Sequence, residues 1–187
     1  MKKLFLVTLL FLFLSVTMIS GGAGAQEGPM TARILRVPRP NIVLAEVSYG
    51  GETLQKRIRL AGVNPPLGLP GVYGQGQLEL RRLVADREVY FDFALGFGPE
   101  DSLWTGYLYI PDQDEGDGEW IVVNAELIRQ GLAEVDEKTA GENQLVYLWS
   151  LEQKARESLL GLWKDRDIIA RARSSRTDDI CPECLRN

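Results

Sequence analysis

Five apolar segments of strand length, with a helical pattern between the third and the fourth, constrain the fold of this chain most strongly. The first three cover residues 31–37, 41–49 and 53–63. The second and third are joined by Tyr49-Gly50-Gly51-Glu52, and adjacent glycines between apolar segments are typical of a tight β-hairpin turn. The sequence therefore predicts that these three segments form an antiparallel meander.

A loop rich in proline and glycine ends the meander. Residues 64–71 contain three prolines and two glycines, so neither a strand nor a helix is expected there. Apolar residues from Leu78 to Val84 then predict a short helix over residues 76–86. Alternating aromatic and smaller residues predict the last two strands at residues 89–93 and 104–110.

An acidic segment follows the fifth strand. Residues 112–119 consist mainly of acids and glycines and have no apolar side to bury, which indicates an exposed hairpin tip. An alternative is a Ca²⁺ site formed by Asp112, Asp114, Asp117 and Glu119. Their spacing differs from that of the D-x-[DN]-x-[DN]-G loop, so the exposed tip is the preferred interpretation.

Two helices are expected after this segment. Asn124 is predicted to cap a short helix that ends at Gly131, because glycine suits the left-handed position after a helix. A longer helix is predicted over residues 142–163, with one apolar stripe against the sheet: Leu145, Leu148, Trp149, Ala155, Leu159, Leu162 and Trp163. This order of elements predicts an α+β fold, a five-stranded Greek-key barrel of the OB type.

The first 25 residues have the pattern of a cleaved secretory signal. Lys2 and Lys3 precede an apolar run over residues 4–19, and small residues lead to Ala25. We expect cleavage near Ala25, export to the periplasm or the extracellular space, and no stable membrane insertion afterwards. The alternative is an uncleaved anchor, since 16 apolar residues fall just short of a typical membrane span.

The remaining chain is acidic and has no histidine. Residues 26–187 carry 19 basic and 26 acidic side chains, a net charge of −7. This balance argues against nucleic acid as a partner, because affinity for phosphates comes mainly from Lys and Arg. The absence of His removes the commonest general base and the usual nitrogen ligand of zinc. The partner expected from the sequence is an unknown protein or small ligand.

Several motifs resemble the staphylococcal nuclease (thermonuclease-like) family. Residues 123–133, Val-Asn-Ala-Glu-Leu-Ile-Arg-Gln-Gly-Leu-Ala, are similar to a helix of that family and are the most specific of these motifs. Further similar segments are residues 58–66, Tyr73-Gly74, Asp101, residues 106–110, Glu152, Ala155 and residues 161–163. The resemblance spans about residues 32–164 and implies an OB barrel with three helices. We therefore divide the chain into a signal (1–25), an OB domain (26–164) and a polar tail (165–187).

The resemblance also implies what the site of an active member needs. Active members of this family hydrolyse phosphodiester bonds of DNA and RNA with Ca²⁺. Carboxylates hold the cation, another carboxylate orients the attacking water, and two guanidiniums bind the phosphoryl oxygens. Arg59 matches the first arginine of the family. The other four positions fall on Pro40 and Asn64 for the metal-binding acids, Leu67 for the catalytic Glu and Thr105 for the second arginine.

Four of these five roles are unfilled, so the sequence predicts a catalytically inactive domain that acts as a binding or scaffolding module. Acids at residues 134–139, where the family has nucleotide-stacking tyrosines, would repel a phosphate. No cofactor is expected. The alternative is a Ca²⁺-dependent nuclease or phosphodiesterase with a non-standard site that uses Arg59 with Asp101 or with acids of residues 112–119. Arg59 itself could instead pair with an acid at the barrel end.

The polar tail ends in Cys181-Pro182-Glu183-Cys184, for which three interpretations are open. In an oxidising compartment the two thiols would form a small disulfide, which is the preferred interpretation. They could also provide half of a Cys₄ zinc site completed by a second copy or a partner. The third interpretation is a redox motif, although the βαβ context of the thioredoxin type is missing.

Overall fold

A computed structural model describes residues 29–112, 119–164 and 166 of the chain. The predicted signal, the centre of the acidic segment and the cysteine pair of the tail lie outside these residues. The elements are, in chain order, β1 (Met30–Arg39), β2 (Ile42–Tyr49), β3 (Glu52–Leu60), β4 (Val63–Asn64), α1 (Pro70–Val84), β5 (Val89–Phe93), β6 (Trp104–Pro111), β7 (Trp120–Val122), α2 (Val123–Arg129), β8 (Glu134–Val135) and α3 (Glu142–Glu157).

Five strands close into a mixed β-barrel, which confirms the predicted fold class. β2 pairs with β1 and β3, β1 also pairs with β5, and β5 pairs with β6, all antiparallel. A parallel pairing of β3 with β6 completes the circle. We call this contact, residues 58–60 against residues 104–106, the barrel seam.

Alternation along β2 shows why this sequence forms a barrel strand. Val43, Ala45 and Val47 are fully buried in the core, whereas Leu44 and Glu46 between them are half-buried on the outside. Side chains of a strand alternate between its two faces, so one face supplies the barrel interior. Gly50 and Gly51 form the predicted turn to β3 with φ values of +60° and +82°, a conformation that glycine adopts without strain.

The third strand is shorter than predicted and the first helix is longer. β3 ends at Leu60 because Gly62, with φ +72°, redirects the chain into β4, which pairs with β8. α1 begins at Pro70, six residues before the predicted start. Proline is tolerated in the first turn of a helix because the N–H that it lacks would have no partner there.

The final helix also differs from the prediction. α3 ends at Glu157, and Leu159 and Gly161 then adopt positive φ values. Among the residues of the predicted stripe, Leu148, Ala155, Leu162 and Trp163 are buried, but Trp149 and Leu159 are each 43% exposed. No helix among the described residues is both long and apolar enough to cross a membrane.

Asn124 does not cap α2 as predicted. The N-cap residue is Val122, and the Asn124 side chain is instead fully buried beside the barrel. The end of this helix does follow the prediction, because Gly131 has φ +69° and its carbonyl oxygen accepts a hydrogen bond from the Leu162 N–H at 2.9 Å. This bond holds the chain after α3 against the end of α2.

Candidate functional site

Arg59 lies at the barrel seam, next to another of the positions identified from the sequence. It is opposite Ile42 of β2 on one side and opposite Thr105 of β6 on the other. The Nε atom of Arg59 is buried and has no hydrogen-bond partner among the described residues. The structure thus brings Arg59 and Thr105 together, and leaves a buried guanidinium donor unsatisfied beside them.

Thr105 provides no positive charge to this site. Its side chain is fully buried, and its hydroxyl is 3.5 Å from the carbonyl oxygen of Leu103, which lies just before β6. Its own carbonyl oxygen accepts the N–H of Ala94 at 3.0 Å. A buried, uncharged threonine whose hydroxyl faces a neighbouring backbone carbonyl cannot replace a guanidinium as a ligand for phosphoryl oxygens.

Pro40 and Asn41 form the turn between β1 and β2. Pro40 is buried, and its Cβ lies beside Gly76 of α1, so close that a Cβ at residue 76 would be 3.3 Å away. The Asn41 side chain donates to the carbonyl oxygen of Val63 at 3.2 Å. This turn therefore packs against α1 and β4 and supplies no carboxylate.

Asn64 and Leu67 lie farther along the chain, after β3. Asn64 is exposed on β4 and is opposite Glu134 of β8, while Leu67 is 81% exposed in the loop before α1. Glu134 is the acid nearest in register to Asn64, and it already forms an ion pair with Arg166 at 2.5 Å. Neither predicted position carries an anionic oxygen.

The nuclease alternative relies on Asp101 and on acids of residues 112–119. Those that the structure describes have structural roles, and the others lie outside the described residues. A carboxylate oxygen of Asp101 accepts the N–H of Gly98 at 2.9 Å, which closes a local turn. Asp112 and Glu119 are joined by a backbone hydrogen bond of 2.8 Å at the base of the predicted hairpin, and Asp114 and Asp117 are not among the described residues.

The residues around Arg59 do not fit a Ca²⁺ ion. Calcium takes six to eight oxygen ligands, several of them carboxylates. The two positions that the family uses for metal-binding acids hold a buried proline, Pro40, and a neutral amide, Asn64. In the described part of the chain, no group of three or more Cys, Asp or Glu side chains is arranged to hold a metal ion.

A comparison with models of protein families gives a match in the second half of the chain. Residues 101–165 match the family model described as Staphylococcal nuclease homologue. The match covers β6, α2 and α3 and includes Thr105, whereas Arg59 and the other three positions precede it. No curated protein matches the chain.

Proposed function

The chain has a staphylococcal nuclease-like OB fold, and from this premise we propose that it is an exported, non-catalytic binding or scaffolding module. One observation carries the proposal: Arg59 stands at the seam with no carboxylate at any of the three acidic positions of the family. These are Pro40, which is buried, and Asn64 and Leu67, which are exposed.

The chemistry of phosphodiester hydrolysis explains why this loss matters. A water must be oriented and deprotonated, and charge on the phosphoryl oxygens must be stabilised as it develops. Removing one preorganised contact of this kind costs about 10²–10³ in rate, and groups that act as a unit fail together. With one of five groups retained, we expect no measurable hydrolysis of nucleic acid.

A digestion assay tests the inactivity. The mature protein, residues 26–187, is incubated with supercoiled plasmid and with single-stranded RNA in millimolar Ca²⁺, beside an Arg59→Ala variant purified in the same way. Both preparations should leave the substrates intact. Digestion by the parent that disappears in Arg59→Ala would establish the nuclease alternative and refute the proposal. Equal digestion by both that stays with the protein through a further purification step would also refute it, because the activity would then not depend on Arg59.

Export is proposed from the first 25 residues, which have a cationic start, an apolar run and a small-residue end. Expression of the full chain in a bacterium, followed by fractionation and intact-mass measurement, should give a periplasmic or secreted species that begins at Gln26. A membrane-bound species that retains Met1 would instead support the uncleaved anchor.

For the tail we propose a disulfide between Cys181 and Cys184, as expected for two nearby thiols in an oxidising compartment. Alkylation of the exported protein without reductant should label neither cysteine, and labelling should require prior reduction. Bound zinc at one ion per two chains would favour the shared Cys₄ site, and thiol-dependent exchange with a disulfide substrate would favour the redox motif.

A further inference from the structure

Four arginines surround two apolar side chains on the outer surface of β1, β2 and β3. Opposed residues of β1, β2 and β3 form rows across the sheet. One row consists of Arg36, Leu44 and Arg57. A second row consists of Arg39, Ile42 and Arg59. Directly opposed residues of neighbouring strands point to the same face. Since Val43 and Ala45 point into the barrel core, Ile42 and Leu44 lie on the opposite side of β2 with their arginine neighbours. Ile42 is covered there and only 6% exposed, whereas Leu44 is half-buried. We call Arg36, Arg39, Arg57 and Arg59 the arginine face.

The strand geometry gives this face its dimensions. Neighbouring strands are about 4.8 Å apart, so the two arginines of one row are separated by about 10 Å at the backbone. The rows are two residues apart along β2, which corresponds to about 7 Å. Four guanidinium groups are thus anchored to a small, continuous piece of sheet, with the half-buried Leu44 between them.

Among the residues that the structure describes, no acid forms an ion pair with the arginine face. In the next row, Arg33 forms an ion pair with Glu46, and Gln55 donates to the same carboxylate at 3.3 Å. Hydrogen bonds from Arg33 and Gln55 hold the pKa of Glu46 below its usual value, so Glu46 is ionised and balances Arg33. None of the four arginines of the face makes an ion pair or a side-chain hydrogen bond with a residue that the structure describes.

This concentration of positive charge contrasts with the rest of the chain. Residues 29–87 contain nine Lys and Arg against four Asp and Glu, whereas residues 88–187 contain ten against 21. A short anionic ligand can contact the arginine face alone. A long polyanion would extend beyond it, and the excess of acids in the rest of the chain would oppose its binding.

We propose that the arginine face binds a short acidic segment of a partner protein, with two or more carboxylates around an apolar side chain that contacts Leu44. Arginine forms paired hydrogen bonds with carboxylates and is enriched in protein interfaces. No aromatic residue occupies the Leu44 or Ile42 row, so the face offers no stacking platform for the bases of single-stranded nucleic acid. The inference deepens the proposed function, since it rests on the domain being a binding module.

A binding experiment with defined probes tests this inference. The mature protein is titrated against three fluorescein-labelled probes: the peptide Gly-Glu-Asp-Leu-Asp-Glu-Gly, the same peptide with Gln and Asn in place of its acids, and a six-nucleotide single-stranded DNA. Anisotropy at low salt should show binding of the acidic peptide that weakens as salt is added, no binding of the neutral peptide, and weaker binding of the DNA.

Matched variants then locate the site. Arg36→Gln/Arg57→Gln removes two charges from the arginine face, and Arg82→Gln/Arg129→Gln removes two exposed charges that are paired with Glu79 and Glu126 elsewhere. We expect the first variant to lose at least about tenfold in affinity for the acidic peptide and the second to stay within about twofold. Thermal melts of both variants verify that they are folded.

Several outcomes would overturn the inference. These are no binding of the acidic peptide, an equal loss in both double variants, and tighter binding of the DNA than of the peptide. The plasmid assay run on the same samples keeps the two proposals distinct, because digestion would refute the proposed inactivity without changing the peptide titrations. A protein that binds the peptide through Arg36 and Arg57 and also cleaves DNA would retain only the binding inference.

Discussion

The side-chain amide of Asn124 donates a hydrogen bond of 2.8 Å to the carbonyl oxygen of Ala61, which directly follows β3 at the barrel seam. The same amide nitrogen donates to Gly106 at 3.1 Å, and its oxygen accepts the N–H of Leu108 at 3.0 Å. One fully buried side chain thus ties α2 to both strands of the seam. Arg59 and Thr105 lie on these strands, so Asn124 fixes the framework of the candidate site.

Replacing Asn124 should therefore destabilise the fold. Asn124→Ala leaves one buried N–H and two carbonyl groups without this partner, and we expect the free energy of unfolding to fall by about 2–4 kcal/mol. Urea denaturation measures the loss. Asn143→Ala on the exposed side of α3 is the control and should change stability by less than about 0.5 kcal/mol. Equal stabilities for the two variants would show that the amide does not hold the seam.

Gly106 of β6 lies so close to the neighbouring strand β5 that no side chain fits at this position. A Cβ at this position would be 2.0 Å from the carbonyl oxygen of Asp92 and 2.6 Å from the Phe91 ring. We expect Gly106→Ala to separate β5 from β6 and to lower the free energy of unfolding by about 3 kcal/mol or more. Gly74→Ala in α1 meets no atom within 4 Å and should instead stabilise by about 0.5–1 kcal/mol. Chemical denaturation of both variants measures these changes in the free energy of unfolding. A loss much smaller than about 3 kcal/mol in Gly106→Ala would contradict the close approach of β5 to β6.

The barrel could be predicted from the sequence because its strands carry strong local signals. Val43, Ala45 and Val47 occupy alternate positions of an apolar segment of strand length, and Gly50-Gly51 marks the hairpin. Helix limits were less predictable, since Pro70 is compatible both with a loop and with a first helical turn. The role of Asn124 could not be predicted, because its partners are 16 to 63 residues away in the chain.

The candidate site could be predicted only in part. The resemblance identified Arg59 and Thr105, and the register of β3 with β6 places them side by side. The arginine face was missed because it depends on the pairing of β1 with β2, which is shifted at two irregular points between Ile34 and Arg39. The local signal available was the alternation of Arg57 and Arg59 around Ile58, which indicates that both arginines lie on the outward side of one strand.

Tyr107 should make the protein sensitive to alkaline pH. The side chain is 4% exposed, and burial raises the pKa of its phenol, while the N–H of Gly141 donates to its oxygen at 3.3 Å and opposes this shift. Because the pKa of the folded state lies above that of the unfolded state, the stability linked to Tyr107 is complete below about pH 10 and is lost as the pH rises further. Unfolding measured from pH 8 to 11.5 should show a steeper decline for the parent than for Tyr107→Phe.

Two further tyrosines serve as references for that experiment. Burial, with smaller contributions from Asp92 and Tyr107, also raises the pKa of Tyr109, so part of the decline should persist in Tyr107→Phe. Tyr147 is 48% exposed, and Tyr147→Phe should follow the parent curve. An unchanged slope in Tyr107→Phe would assign the alkaline sensitivity to other groups.

Arg59 should reduce the stability of the free protein. Its Nε–H is buried without a partner among the described residues, and an unsatisfied buried donor costs about 1–3 kcal/mol. Arg59→Met keeps most of the side-chain length and removes this donor, so we expect the free energy of unfolding to rise by about 1 kcal/mol. Urea midpoints give the change, with Arg57→Met as an exposed control that should stay within about 0.5 kcal/mol. If Arg59→Met instead loses more than about 1 kcal/mol, Arg59 has a structural partner, because a stabilising ion pair would be broken by the same substitution.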